Sequence, residues 1–211
     1  MVGSNKAVKI GIIAEENNDV DVLYELTCKI IKENQFAFKR FVGHGCGKLR
    51  KKSSAWEANL FKKGCTLLVV LHDLDRNKES VIRQYLENEI KNAKFDHTII
   101  LIPKEELEAW LLSDKHALKA AFKMRVLPKV PRYPEKIESP KEFLGELVRA
   151  NSKTQYLNTV HNRRIASAIS IPKLKCCPTF SDYPHFLRRA FNATLELILT
   201  DFSSMSTRVW C

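Results

Sequence analysis

The chain has 211 residues, 45% of them hydrophobic, which is enough to bury one sizeable core. No apolar run approaches the roughly 20 residues needed to cross a bilayer, and Met1 to Lys6 is not followed by a signal-peptide pattern, so a soluble, cytoplasmic protein is expected. Thirty-five Lys and Arg against 24 Asp and Glu leave a net charge of +11, which points to an anionic partner and makes any cluster of carboxylates stand out.

Residues 7–14 (AVKIGIIA) read as a first strand that ends in the acidic run Glu15-Glu16-Asn17-Asn18-Asp19. Val20, Val22, Leu23, Leu26, Ile30 and Ile31 then recur at helical spacing, with Asn18 or Asp19 placed to cap the helix. Residues 35–42 alternate as a second strand ending at Gly43-His44-Gly45-Cys46-Gly47, whose glycines permit a tight turn with positive φ. A basic helix over 48–63 follows.

Residues 65–72 (CTLLVVLH) form a nearly unbroken aliphatic run, too short for a membrane span, and read as a central strand buried on both faces. It ends in Asp73-Leu74-Asp75. Residues two apart in a strand face the same way, so Asp73 and Asp75 are expected to leave it as a pair. Like charges held close raise a pKa unless a cation sits between them, and hard oxygen ligands in this arrangement suit Mg²⁺ or Mn²⁺. Asp also caps helices and initiates turns, so the pattern alone leaves both readings open. His72 lies on the side opposite Leu71 and is expected to be a packed or supporting histidine rather than a metal ligand.

A polar helix over 79–92, capped weakly by Asn77, leads to a fourth strand over 97–103. Residues 104–112 open a helix in which Glu105 and Glu108 share a face and Glu106 points elsewhere; acids also favour a helix N-terminus for its dipole alone. Four alternations of strand and helix predict an α/β fold, a mostly parallel four-stranded sheet with helices on both faces. Such sheets place their sites at the carboxyl ends of the strands, where all of these acids lie.

Beyond Asp114 the strands stop. Pro128, Pro131 and Pro134 mark an irregular connection, and Ser139-Pro140-Lys141-Glu142 starts a helix with Pro at its first position. Further helical segments are expected at 155–169 and 180–199, then a loose tail over 200–211. The division that follows is an α/β domain over 1–125 and a helical extension over 126–211 packed on it. The six cysteines, at 28, 46, 65, 176, 177 and 211, include no C-x-x-C pair and are expected to be reduced; Cys176-Cys177 lacks a companion pair for zinc.

Glu15 to Asp19 after one strand and Asp73-Leu74-Asp75 after a later one resemble the Toprim domain, a Rossmann-like fold shared by topoisomerases, primases and the OLD (overcoming lysogenization defect) nucleases. The first Toprim motif usually reads Glu-Gly-x-x-Asp, which Glu15 and Asp19 match while Glu16 replaces the glycine. Three further stretches are similar to small stand-alone bacterial Toprim-like proteins often found beside ATPases in phage-defence loci. They are Glu106 to Asp114, Pro134 to Lys141, and Cys177-Pro178-Thr179-Phe180 with Phe186 to Arg189. The resemblance covers roughly residues 8 to 190.

The resemblance implies a divalent-metal-dependent nuclease, the effector of an ATPase-coupled anti-phage system with an ABC-type ATPase partner. Glu15, Asp73 and Asp75 would act in catalysis and hold Mg²⁺ or Mn²⁺, Glu106 or Glu108 would build a second metal position, and Asp19 would support or cap. Lys48, Arg50, Lys51, Lys52, Arg163, Arg164, Lys173, Lys175, Arg188 and Arg189 are candidates for phosphate contacts to DNA or RNA, although charge runs are also ordinary solvated faces. The alternative is a non-catalytic nucleic-acid-binding or regulatory subunit of an ATPase complex, which the replaced glycine at Glu16 favours.

Overall fold

The structure, a computed structural model, describes residues 7–31, 35–92 and 94–192. Strands β1 (Val8–Ala14), β2 (Phe36–Val42), β3 (Leu67–Leu71) and β4 (His97–Leu101) form one sheet in the order β2-β1-β3-β4, with every pair parallel. Ile12 pairs with Val69 and Val69 with Ile99, so all four strands end on the same edge. The chain leaves β1 toward β2 on one side and returns to β3 on the other. The resulting crevice between the carboxyl ends of β1 and β3 is the place where open α/β sheets bind ligands.

Alternation along the strands divides the core. Ile10, Ile12, Leu67, Val69 and Leu101 face one side, where α1 (Asn17–Ile30) packs through Val22, Leu23 and Leu26. Ile13, Leu68, Val70 and Ile100 face the other, covered by α2 (Cys46–Lys62) and α3 (Glu79–Glu89). A Cβ on Gly11 would lie 3.1 Å from Leu60 Cδ1, so the glycine lets α2 lie close against the sheet.

The rest of the chain adds to the α1 face. It contains α4 (Glu108–Leu111), α5 (Lys115–Phe122), α6 (Pro140–Asn151), α7 (Asn158–Ala168) and α8 over residues 182–192, with 3₁₀ turns between them. Ile165, Phe180 and Tyr183 belong to the same apolar cluster as Ile12 and Val69, so the helical extension and the sheet share a core. Tyr183, fully buried, meets Thr27 of α1 through a 2.6 Å hydroxyl contact. The stretches singled out after residue 105 bind one another. Trp110 Nε1 donates to Thr179 Oγ1 at 2.8 Å, Thr179 bonds Glu135 through both its hydroxyl and its N–H, and the Trp110 ring lies 5.2 Å from that of Phe180. Those motifs hold the extension together.

Four local expectations are corrected. The cap of α1 is Glu16, whose side chain accepts from the Asp19 N–H while the Asp19 carboxylate accepts from the Glu16 N–H at 2.8 Å; the reciprocal pair places the helix start one turn before Asp19. Helix α2 starts at Cys46 because Gly45, at φ 116°, already turns the chain into it. Asn77 does not cap α3, which is preceded by Lys78; its amide folds back onto the carbonyls of Leu74 and Asp75. Finally, Glu105 and Glu108 do not share a helical face, because Glu105 has φ 61° and α4 begins only at Glu108. The expected tail over 200–211 and the end of the last helix lie outside the described residues.

Candidate functional site

The crevice between β1 and β3 is lined by their first residues beyond the strands. The backbone N–H of Asp73 donates to Glu15 Oε1 at 3.1 Å, fixing the end of β3 to that of β1. Behind them His72 is fully buried. Arg50 Nε can only donate, and it reaches His72 Nε2 at 3.1 Å. The imidazole is therefore neutral with its proton on Nδ1, aimed at the Asp73 carbonyl (2.5 Å) and Glu15 Oε1 (3.3 Å). Burial accordingly lowers its pKa.

From β2 the turn Gly43 to Cys46 comes alongside. The N–H groups of Gly43 and His44 donate to the carbonyls of Ala14 and Glu15 at 2.9 and 2.7 Å, carrying Cys46 to the same rim. Asp75 arrives from the other side. Strand β3 ends at Leu71, so alternation does not reach the two aspartates, and the expected pair facing one way is not formed as such. Asp75 instead takes φ 48°, with its N–H on the Glu105 carbonyl. One ligand atom each from Glu15, Cys46 and Asp75 lies within 4.8 Å of the others, a group that can hold a metal ion.

Asp73 lies deeper. Its Oδ1 accepts the Leu107 N–H at 3.0 Å, and burial, then the charges of Asp19, Glu108, Glu15 and Asp75, push its pKa well above the carboxylate range. Burial and the neighbouring charges of Glu108, Glu16 and Glu15 raise Asp19 to about 8 against the opposing Glu16 N–H. Burial and Asp75 raise Glu15 to about 7, while the Asp73 N–H and Arg50 pull the other way. Acids separated by up to about 90 residues in sequence thus repel one another at one rim. Such mutual repulsion is relieved by protons or by cations.

Helix α7 completes this rim. Glu108, buried at the start of α4, accepts from Asn162 Nδ2 at 3.0 Å, and the Tyr156 hydroxyl lies 2.9 Å from the same oxygen and 2.6 Å from Asn162 Oδ1. Asn158 reaches Glu16 Oε2 at 3.3 Å, and the Lys141 N–H at the start of α6 donates to Glu106 Oε2 at 2.9 Å. Burial raises the Glu106 pKa, with Glu108 and Glu142 adding to it. Outside Asp75 an acidic cleft of about 170 Å³ opens between Glu105, Glu106, Glu138 and Glu142.

Among protein families, the model for DUF4276, a domain of unknown function, matches residues 20–188. The chain belongs to the DUF4276 family. Comparison with curated proteins and with solved structures finds no match. The DUF4276 match takes in Asp73, Asp75, Glu106 and Glu108 together with Tyr156 and Asn162, and starts just after Glu15 and Asp19.

The basic residues divide. Within the DUF4276 domain, Lys48, Lys51 and Lys52 are exposed on the first turns of α2, the helix that begins at Cys46. Arg50, on the same helix, is not a free phosphate contact: it is half-buried and committed to His72. Arg163 is paired with Glu25 at 2.8 Å and lies 5.9 Å from the Tyr24 ring, so it docks α7 on α1. Arg164, Lys173, Lys175, Arg188 and Arg189 are exposed. Sequence reasoning passed over Cys46, Tyr156 and Asn162. Cys46 carried a signal, its place in the glycine turn after β2; the other two carried none in a single sequence. Among the described residues no helix is long and apolar enough to cross a membrane.

Proposed function

We propose that this DUF4276 chain is a Toprim-like, divalent-metal-dependent nuclease that hydrolyses phosphodiester bonds of DNA or RNA. What carries the reading is the convergence of Glu15, Asp73 and Asp75 at the β1–β3 crevice, where burial and the charges of Asp19, Glu108, Glu15 and Asp75 raise the Asp73 pKa, and where Glu108 also adds to the raised pKa of Asp19 and of Glu106. The donor set fits a divalent cation: two carboxylates and a thiol within 4.8 Å at the rim, and further carboxylates behind them. Glu15, Asp75 and Cys46 would hold the ion, with Asp73, Glu106 and Glu108 available for a second position. A bound divalent cation supplies an activated water and charge stabilisation on the leaving oxygen.

The chain's own groups have distinct tasks. Neutral His72 and Arg50 hold Glu15 from behind, and Tyr156 with Asn162 holds Glu108, so the carboxylates keep their places before any ligand arrives. Lys48, Lys51 and Lys52 flank the rim and would attract the phosphate backbone. The reading includes a role as effector of an ATPase-coupled anti-phage system, in the cytoplasm, beside an ABC-type ATPase.

A second reading, a non-catalytic nucleic-acid-binding or regulatory subunit of such an ATPase complex, is favoured by one observation. Asp19, Asp73, Glu106 and Glu108 each already accept a hydrogen bond from the chain itself. The test incubates purified protein, alone and with its ATPase, with DNA and RNA and Mn²⁺ or Mg²⁺. Cutting or nicking that Asp73→Ala abolishes supports the nuclease; cleavage that persists in EDTA overturns it, and binding without cleavage selects the second reading.

A further inference from the structure

Cys176 and Cys177, neighbours in the chain, bring their Sγ atoms to 3.9 Å from one another. Their surroundings differ. Cys177 is fully buried and its thiol points at the Ala109 carbonyl at 3.8 Å, whereas Cys176 is half-buried and reaches the Lys173 carbonyl at 3.2 Å. Burial, with the charges of Cys176 and Glu135 adding to it, pushes the Cys177 thiol well up, so that it stays protonated. Among the described residues no third thiol, imidazole or carboxylate joins the pair in a group that could hold a metal ion. One solvent-reached sulfur thus touches one sheltered sulfur, an arrangement in which a sulfenic acid formed on the first is captured by the second.

What the sheltered thiol touches gives the pair a consequence. Residues 177–180 clamp α4: Cys177 meets the Ala109 carbonyl, Thr179 Oγ1 accepts from Trp110 Nε1 at 2.8 Å, and the Phe180 ring packs on that of Trp110. Ala109 directly follows Glu108, the buried carboxylate that Tyr156 and Asn162 hold at the rim. Forming a disulfide removes the hydrogen that Cys177 offers to the Ala109 carbonyl, whichever sulfur moves to close the bond. Adjacent residues also set their Cα atoms about 3.8 Å apart, below the roughly 4.4–6.8 Å of ordinary disulfides. Such a bridge is strained and therefore easily reduced, as a reversible switch requires.

We propose that Cys176 and Cys177 form a reversible, hydroperoxide-sensitive switch on α4: oxidation to a disulfide between them loosens the helix that carries Glu108, and reduction by a dithiol restores it. The Cys176 sulfur takes one oxygen from the hydroperoxide, whose O–O bond breaks and whose remainder leaves as water or an alcohol. The Cys177 thiol then displaces water from the sulfenic acid and the S–S bond forms. Two electrons have passed from the sulfurs to the peroxide, and a dithiol returns them by exchange. Only the effect on cleavage rests on the nuclease reading; the bridge and the loosening of α4 do not.

The test treats the full chain with hydrogen peroxide in EDTA and follows it by tryptic mass spectrometry, before and after dithiothreitol. Both cysteines fall in one tryptic peptide, residues 176–188, which is expected to lose the mass of two hydrogens and to regain it on reduction. Cys176→Ser, at a half-buried position, and Cys177→Ala, which keeps the buried site apolar, are each expected to abolish that loss. Amide hydrogen exchange over residues 108–112 is expected to be roughly tenfold faster in the oxidised wild type and to ignore peroxide in Cys176→Ser. Mn²⁺-dependent cleavage is expected to fall on oxidation and to return with dithiothreitol. Oxygen added to the peptide, or a cross-link from it to another cysteine, in place of the internal bridge overturns the proposal. So does a bridge that leaves exchange over 108–112 unchanged, and so does cleavage that runs equally fast in both states. A reversible bridge with faster exchange, in a protein that cleaves in neither state, removes the nuclease reading and keeps the switch.

Discussion

The Asp73 N–H lies 3.1 Å from Glu15 Oε1, a backbone donor of one strand end held by the side chain of another. The bond stabilises charge on Glu15, yet burial and Asp75 outweigh it and leave that carboxyl at about 7. The rim is thus assembled in a form that stores repulsion at neutral pH. Its titration gives the rim a measurable signature.

Glu15 rises from an ordinary 4.5 to about 7 and Asp19 from 3.8 to about 8, so the folded state holds protons that the unfolded chain has released. Where the folded state binds more protons, stability falls as pH rises. The metal-free protein is expected to lose melting temperature steadily from about pH 4 to about pH 8 and to level off above. Mn²⁺, which prefers the ionised carboxylates, is expected to flatten that fall. Glu15→Gln should remove the part below about pH 7. Melting curves in EDTA and in Mn²⁺ across this range decide it, and a melting temperature that climbs with pH in EDTA contradicts it.

Asp73 separates fold from function. Its half-buried carboxyl lies among like charges and accepts one N–H from Leu107, a bond that an Asn side-chain oxygen reproduces. Asp73→Asn is expected to raise the melting temperature in EDTA, because a neutral isostere removes repulsion at no cost in packing. The same variant should gain less from Mn²⁺ than the wild type and should not cleave. A destabilised Asp73→Asn protein would mean that the charge is structurally required.

The sheet was legible because its signals are local. The aliphatic run that became β3 and the acids after β1 and β3 predict a parallel sheet with its site at one edge, and the structure has that sheet. Departures arise where tertiary contacts decide. Glu105 reads as a helix residue by composition, but the N–H groups of Asp75 and Arg76 bond its carbonyl and carboxylate, and the chain there turns left-handed. Arg50 reads as one of a basic run with Lys51 and Lys52; only the packing of α2 shows it aimed at a buried histidine. The partners of Glu108 lie 48 and 54 residues away, a distance no periodicity spans.

Those partners give the next prediction. Groups that orient a ligating side chain from behind typically matter 10–100-fold for metal affinity or activity. Tyr156→Phe keeps the ring against Phe122 and removes only the hydroxyl near Glu108. It is expected to lower Mn²⁺ affinity or Mn²⁺-dependent activity by about 10–100-fold, measured by calorimetric titration and cleavage rates, and to lower the melting temperature as well, because the buried Asn162 Oδ1 loses its donor. An unaltered response would assign Glu108 a structural role.

Arg50 is expected to behave unlike its neighbours. Arg50→Ala leaves His72 Nε2 buried without a donor, a loss of about 1–3 kcal/mol. Lys51→Ala and Lys52→Ala, at exposed positions, should be near neutral for stability. Arg50→Lys retains the charge without the Nε–H that meets the imidazole, so it should recover little. Urea denaturation of the three alanine variants distinguishes a positioning arginine from a solvated one: equal midpoints would return Arg50 to the surface group.

If the rim holds a metal ion as proposed, Cys46 would bias which one. Mg²⁺ binds oxygen donors in strict octahedral geometry, whereas Zn²⁺, Cd²⁺ and, less strongly, Mn²⁺ accept a thiolate. With a sulfur beside Glu15 and Asp75, the wild type is expected to bind Zn²⁺ and Cd²⁺ more tightly than Mn²⁺, and Mn²⁺ more tightly than Mg²⁺. Cadmium titration should produce the ultraviolet band of a cadmium–thiolate bond. Cys46→Ser exchanges sulfur for oxygen at nearly the same position and should abolish that band, weaken Zn²⁺ by at least tenfold (about 1.4 kcal/mol), and leave Mg²⁺ almost unchanged. Cys65, buried just before the start of β3 and so at the opposite end of that strand from the rim acids, is the control: Cys65→Ala should keep the band. A band that survives Cys46→Ser would place the soft ligand elsewhere and reduce the rim to its carboxylates, for which Mg²⁺ and Mn²⁺ are the fitting ions.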